Sequence, residues 1–273
     1  MKKAKDLLSA LIPRVEAVGR YQLGHFRTRG PGGGSEKSAG NLVSEIDVES
    51  ENRLKEDLLG LLPAAGFHGE ETARTRGEYT WVVDPLDGTT NYLSGVDVWA
   101  VSVALMRENE ILLGLVHKPY TGENFFALRG EGAHHQGPGG SPPRRLAEAR
   151  PFPLRDALVG TGFPYRSPDT ADAFFAAARE ILYLGRGIRR IGAAALDLTY
   201  VAAGYLQGFW EVDLQAYDVA AALLFLRETG CAATDFSGNP YDPFHSRGLV
   251  TGPPGAAEEL LRIVRRHYAG IRD

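Results

Sequence analysis

No segment constrains the fold of this chain more than YTWVVDPLDGTTNY, from Tyr79 to Tyr92. Its aromatic and β-branched first half, Tyr79 to Val83, predicts a buried strand. Pro85 disfavours helix at Asp84, so the chain is expected to turn there. Asp87 and Gly88 continue the turn. Thr89, Thr90 and Asn91 are short polar residues suited to opening a helical turn, whose free N–H groups can hold an anion. Two carboxylates this close repel and raise each other's pKa unless a hard cation lies between them, and Mg²⁺ takes one or two carboxylates together with substrate phosphate oxygens. The pattern points to a divalent-metal and phosphate site. Asp-Pro and Asp-Gly also make plain surface turns, so further residues must decide.

Upstream, Phe67 and His68 lead into Gly69, Glu70 and Glu71, which places Glu70 at a strand end where it can complete a metal site. Downstream, Gly208 to Val212 reads as a strand carrying Glu211, and Ala216 to Ala222 opens an apolar helix with Asp218 in its first turn. A carboxylate there is ordinarily a solvated N-terminal charge; with the strand-end carboxylates it converges on one cation. Asp47 has a similar double reading, because acidic residues early in the amphipathic segment from Val48 to Leu62 also serve as a cap. The glycine-rich stretch Gly30 to Gly40 contains Lys37 but lacks both the Gly-Lys-Ser/Thr ending and the preceding apolar strand of a nucleotide loop. A flap bringing Lys37 towards the phosphate is the better reading.

These motifs resemble those of the inositol monophosphatase family, part of the Mg²⁺-dependent, lithium-sensitive phosphatase superfamily. The string Asp84 to Tyr92 fits every position of that family's first motif, D-P-[LI]-D-G-[ST]-x-N-[FY], and Tyr217-Asp218-Val219-Ala220 fits its second, with Tyr217 where Trp is usual. Gly69-Glu70-Glu71, Lys37 ahead of Asn41 to Asp47, and Gly187 to Leu198 match as well. The resemblance implies that Glu70, Asp84 and the Leu86 carbonyl hold one Mg²⁺, that Asp84, Asp87 and Asp218 hold a second, and that a third, weaker ion leans on Glu70. It implies Glu70, Thr89 and Asp47 as the catalytic group that activates a water. It implies substrate contacts at Lys37, Leu86, Asp87, Gly88, Thr89, Gly192, Ala193, Ala194 and Glu211. It further implies a layered αβαβα sandwich, a homodimer and a small phosphate ester as substrate, hydrolysed without a covalent enzyme intermediate. Inositol 1-phosphate is the first expectation, with fructose 1,6-bisphosphate or a nucleotide 3′-phosphate as alternatives; Arg166 or Arg186 could serve a second phosphate. The role of Asp197 stays open. Outside this chemistry, a metal-binding interaction module without turnover would have been attractive had one of the four carboxylates been lost, and a Mg²⁺ nucleotidyl transferase lacks its nucleotide loop.

At 273 residues, 44% of them hydrophobic, the chain can form two parts with a sizeable core. Residues 1–145 predict an α+β half: helices from Lys5 to Phe26, interrupted or kinked near Pro13, and from Val48 to Leu62, then an antiparallel hairpin from Val98 to His117. Gly130 to Arg145, rich in Gly and Pro, reads as a linker or exposed hairpin. Residues 146–273 alternate strand and helix and predict a mixed α/β half, so the metal ligands fall in both. A net charge of −4 with dispersed basic residues argues against a nucleic-acid binder. A single cysteine excludes an intramolecular disulfide. The opening residues lack the pattern of a signal peptide and no stretch is apolar enough to span a membrane, so a cytoplasmic location is expected.

Overall fold

A computed structural model describes residues 2–28, 35–38 and 41–269. Helix α1, Lys2–His25, buries Leu8, Leu11, Val15 and Val18, the spacing of one helical face. It runs unbroken through Pro13, which stands on the exposed face where the carbonyl it leaves unbonded meets solvent. A hairpin of β1, Ser35–Ser38, and β2, Asn41–Val43, leads to α2, Glu45–Leu61. Then come β3, Gly66–Gly69; β4, Tyr79–Asp87; the short α3, Thr89–Leu93; β5, Ala100–Arg107; β6, Glu110–Lys118; β7, Glu123–Leu128; β8, Ala133–Gln136; and β9, Arg144–Arg145. These strands form a seven-stranded sheet in the order β3-β4-β5-β6-β7-β8-β9, antiparallel except for the parallel pair β3 and β4. The segment expected as a linker or exposed hairpin, Gly130 to Arg145, supplies the antiparallel pair β8 and β9, the last two strands of this sheet.

The remaining elements are β10, Leu158–Thr161; α4, Ala171–Leu184; β11, Gly187–Arg189; α5, Ala194–Ala202; β12, Gly208–Val212; α6, Ala216–Thr229; β13, Ala232–Thr234; β14, Gly248–Gly252; and α7, Ala256–His267. Their strands build a mixed five-stranded sheet, β11-β10-β12-β14-β13, whose first two pairings are parallel and last two antiparallel.

Side-chain alternation stacks these parts into layers. On β4, Trp81 and Val83 face α1 and α2 together with Val101 and Val103 of β5, while Val82, Ala100 and Ala104 face the other way. That second face packs on α5 and α6, which also cover the inner face of the five-stranded sheet; α4 and α7 close its outer face around Phe174, Trp210 and Leu260. The order is helix, sheet, helix, sheet, helix, the αβαβα arrangement expected. Helix α6 is apolar all round because it lies between two sheets, with Val219 to Leu226 all buried. Its backbone comes so close to β6 that a Cβ on Gly114 would lie 2.6 Å from the Ala221 carbonyl oxygen, so only glycine fits there.

Candidate active site

Strand β4 does not turn at Pro85; it continues to Asp87. Its register against β5 pairs Asp84 with Ser102 but Asp87 with Ala100, so three steps on β4 oppose two on β5. This bulge takes Pro85 and Leu86 out of the paired register, which is how a sheet tolerates an internal proline. It also reverses the alternation: Asp87, which a regular strand would send to the face opposite Asp84, emerges on the same side. Leu86 points the other way, into a cluster with Ile46, Tyr92 and Trp99. The Asp84 carboxylate accepts the Leu86 N–H at 3.0 Å. Glu70 directly follows β3, and because β3 runs parallel to β4 it stands at the same sheet end and lines the same cleft.

Gly88 ends the strand at φ +98°, a conformation other residues rarely take, and serves as the N-cap residue of α3. From there the Thr89 hydroxyl reaches Asp47 Oδ1 at 2.8 Å and the Leu86 carbonyl at 3.1 Å. Asp47 is also the cap that its sequence position suggests: the other carboxylate oxygen accepts the Ser44 N–H at 2.9 Å, and Ser44 Oγ accepts the Asp47 N–H at 3.3 Å, a capping box on α2. Asp87 caps a second helix, accepting the N–H of Ala194 at 3.0 Å and of Ala195 at 2.8 Å at the start of α5. Asp218 closes a capping box on α6 by accepting the Gln215 N–H at 2.7 Å. Three helix N-termini thus bring their positive ends to these carboxylates.

The cleft has a volume of about 570 Å³ and opens between the two sheets. Glu70, Asp84, Asp87, Gly88, Thr89, Gly192, Ala193, Ala194, Glu211 and Asp218 all line it, as does Leu86. Asp47 stands behind Thr89. The backbone of Lys37 lies in β1, while its side chain falls outside the described residues. Arg166 lines the cleft and pairs with Asp218 at 3.8 Å, whereas Arg186 is an exposed partner of Asp156 outside it. Asp197 also lines the cleft from α5, buried, with Oδ1 unpartnered.

Burial is the largest influence on the carboxyls of Asp84, Asp87, Asp218 and Glu211. It raises Asp84 well above the usual carboxylate range, with Glu70, Asp87 and Asp218 adding to the effect. Asp87 is pushed up to about 7 by burial and by Asp218, against the N–H groups of Ala195 and Ala194. Asp218 is raised by burial and partly restrained by Arg166. Glu211 is pushed up to about 8 by burial, Asp218 and Asp87, with Arg190 and Arg166 opposing. Among the described residues no three acidic, His or Cys side chains already stand as a formed ion cage, since Asp87 and Asp218 are turned towards the backbone groups they cap. Each carboxylate oxygen keeps a further lone pair, however, and four hard oxygen donors that disfavour one another's charge fit a divalent cation such as Mg²⁺.

Three cleft contributors went unassigned in the sequence. Asn91 Nδ2 donates to the carbonyls of Val98 and Ile191, each at 2.9 Å, tying the motif to the turn before α5; its place inside the motif was the available signal. Arg190 lines the cleft with its guanidinium 5.6 Å from the Tyr165 ring; it fell inside the matching stretch Gly187 to Leu198 but was given no role of its own. Gln22, on the buried side of α1, holds the Pro85 carbonyl at 2.7 Å, and a lone glutamine in an apolar stripe carries no signal.

The model of the inositol monophosphatase family matches residues 6–269. An inositol-1-monophosphatase of Rhizobium meliloti is 40% identical over 233 residues, 84% of this chain and 85% of that protein. A fructose-1,6-bisphosphatase/inositol-1-monophosphatase of Aquifex aeolicus is 32% identical over 234 residues, 85% of each. The crystal structure of the extragenic suppressor protein suhB from Bartonella henselae superposes with a TM-score of 0.87 at 32% identity, covering 96% of this chain and 99% of that one. The chain therefore belongs to the inositol monophosphatase family of phosphatases.

Proposed function

We propose that the protein is a Mg²⁺-dependent phosphomonoesterase that hydrolyses inositol 1-phosphate, with Glu70, Asp84, Asp87, Asp218 and the Leu86 carbonyl as the metal ligands. The observation that carries this reading is the β4 bulge, which turns Asp84 and Asp87 to one side, opposite Asp218. Bound there, two or three Mg²⁺ ions supply a nucleophile at neutral pH and neutralise charge on the leaving oxygen. The chain's own groups do the rest. The N–H groups of Gly88 and Thr89 hold the phosphate. The Thr89 hydroxyl points its proton at Asp47 and leaves its lone pairs to take one from the attacking water; burial raises the pKa of Asp47, which suits it as the final acceptor. Glu211, at the far wall, binds hydroxyls of the alcohol part, alongside the backbone of Gly192, Ala193 and Ala194. The test is phosphate release from inositol 1-phosphate with and without Mg²⁺, and with Li⁺ added. Mg²⁺-dependent, Li⁺-inhibited release is expected, and its absence would sink the reading.

A second substrate is favoured by one observation: Arg166 and Arg190 both line the cleft and bring two guanidinium groups to it. They suit the second phosphate of fructose 1,6-bisphosphate, the substrate in the name of the Aquifex aeolicus relative. Arg166→Ala and Arg190→Ala are expected to lower kcat/KM for the bisphosphate more than for the monophosphate; an unchanged ratio removes this substrate. We also propose a homodimer through α4, where Phe175, Leu182 and Tyr183 are exposed, Tyr183 by 82%. Light scattering giving a monomer mass would contradict it.

A further inference from the structure

Gln22 is wholly buried in α1, and each polar atom of its side chain is engaged. Nε2 donates to the Pro85 carbonyl at 2.7 Å and to Ser50 Oγ at 3.2 Å, and Oε1 accepts from Trp99 Nε1 at 3.0 Å. Its backbone carbonyl accepts from the Tyr92 hydroxyl at 2.7 Å. A buried amide is tolerated only when satisfied in this way. The one side chain therefore joins α1, α2, β4 and the approach to β5.

The bond to Pro85 has a meaning the others lack. The bulge leaves Pro85 without a registered partner on β5, and Gln22 gives its carbonyl a donor from the opposite side of the sheet. The N–H end of the same peptide unit, on Leu86, is held by Asp84 Oδ1 at 3.0 Å. The Pro85–Leu86 peptide is thus pinned at both ends, and the next carbonyl, that of Leu86, lies 3.1 Å from the Thr89 hydroxyl oxygen. Rotating this peptide plane would break both bonds and redirect the Asp84 carboxylate and the Leu86 carbonyl.

We propose that Gln22 is a positioning residue for the cation site: by holding the Pro85 carbonyl it locks the peptide plane that aims Asp84 and the Leu86 carbonyl into the cleft. This inference rests on the metal reading given above. Gln22 is buried and does not line the cleft, so its effect would fall on ion affinity rather than on the chemical step, as for outer-shell partners of metal ligands in general.

The test is Mn²⁺ binding to the full-length protein, counted by electron paramagnetic resonance of the free ion, with thermal unfolding of the same samples. Gln22→Met is expected to raise the Mn²⁺ Kd about tenfold, the scale of an outer-shell loss, with kcat recovering at saturating Mn²⁺. Gln22→Glu, held neutral by burial, keeps an acceptor for Trp99 and an O–H donor for the Pro85 carbonyl, and is expected to retain the wild-type Kd. Trp99→Phe leaves the Pro85 bond intact; it is expected to lower Tm without moving the Kd. Wild-type Kd in Gln22→Met, or a Kd that follows Tm in all three variants, overturns the positioning role. A wild-type protein that binds no Mn²⁺ overturns the metal reading itself.

Discussion

Asp87 occupies its place because one extra residue sits in a strand. Without the bulge it would face α1 and α2, among Trp81 and Val83, where a carboxylate has no partner. With it, Asp87 joins Asp84 across from Asp218. Asp87→Asn and Asp218→Asn keep the size of the side chain and part of its capping ability, and remove the charge. Each is expected to lower kcat on the order of 100-fold or more while the fold survives; steady-state kinetics with a circular dichroism control checks this, and near-normal turnover in either would remove it from the ligand set. The residues of the DPLDGT string were readable because their chemistry is local. The bulge was not, since the sequence shows Pro85 as a turn signal and only pairing with β5 reveals that the strand goes on. Gln22 was hidden for a related reason: its partners lie 28, 63 and 77 positions away.

Helix ends do two tasks at this site. Asp47, Asp87 and Asp218 each cap a helix, and their charge is favoured by the N-terminal end they cap. The two tasks of Asp47 fall on different oxygens, Oδ2 for the cap and Oδ1 for Thr89. They are therefore separable. Ser44→Ala removes the cap and is expected to cost about 1 kcal/mol of stability with turnover largely kept; Thr89→Ala is expected to do the reverse, losing turnover with little change in Tm. Chemical unfolding and phosphate release on the two variants check the contrast. Helices with a clear apolar period were legible to within about three residues: the segments expected from Lys5 to Phe26 and from Val48 to Leu62 fold as α1, Lys2–His25, and α2, Glu45–Leu61. β8 and β9 were read only as a linker or exposed hairpin, because Gly130 to Arg145 has the composition of a loop and becomes strand through the pairing of β8 with β7 and of β9 with β8.

Across the whole molecule, the two sheets share one helical layer. The inner faces of β4, β5 and β6 are covered by α6, which belongs to the second half of the chain. Residues 1–145 expressed alone are expected to bind a hydrophobic dye and show no cooperative unfolding, since Val82, Ala104 and Val116 lose their cover; a sharp transition would mark them as a self-sufficient domain. The crowding of acids also sets a pH dependence. The carboxyls of Glu211 and Asp87 titrate at about 8 and about 7 in the folded protein, above their ordinary 4.5 and 3.8. Between those limits the folded state holds protons that the unfolded state has released, so their contribution is complete at acid pH and is lost as pH rises. In chelator, Tm is expected to fall from about pH 5 to about pH 8, and Mg²⁺, which favours the ionised carboxylates, is expected to flatten that fall. A Tm that climbs with pH in chelator would contradict this.

The contact between Gly114 and Ala221 sets a dimension as well as a packing detail. Ala220, Ala221 and Ala222 are the spacer between the sheets, and the same helix begins with Asp218 at the mouth of the cleft. The gauge of the catalytic gap is therefore written in methyl groups buried out of the substrate's reach. A relative that enlarged one of them would shift Asp218 against Asp84 and Asp87 without altering any residue that substrate touches, so tolerance for larger phosphate esters could drift through the core alone.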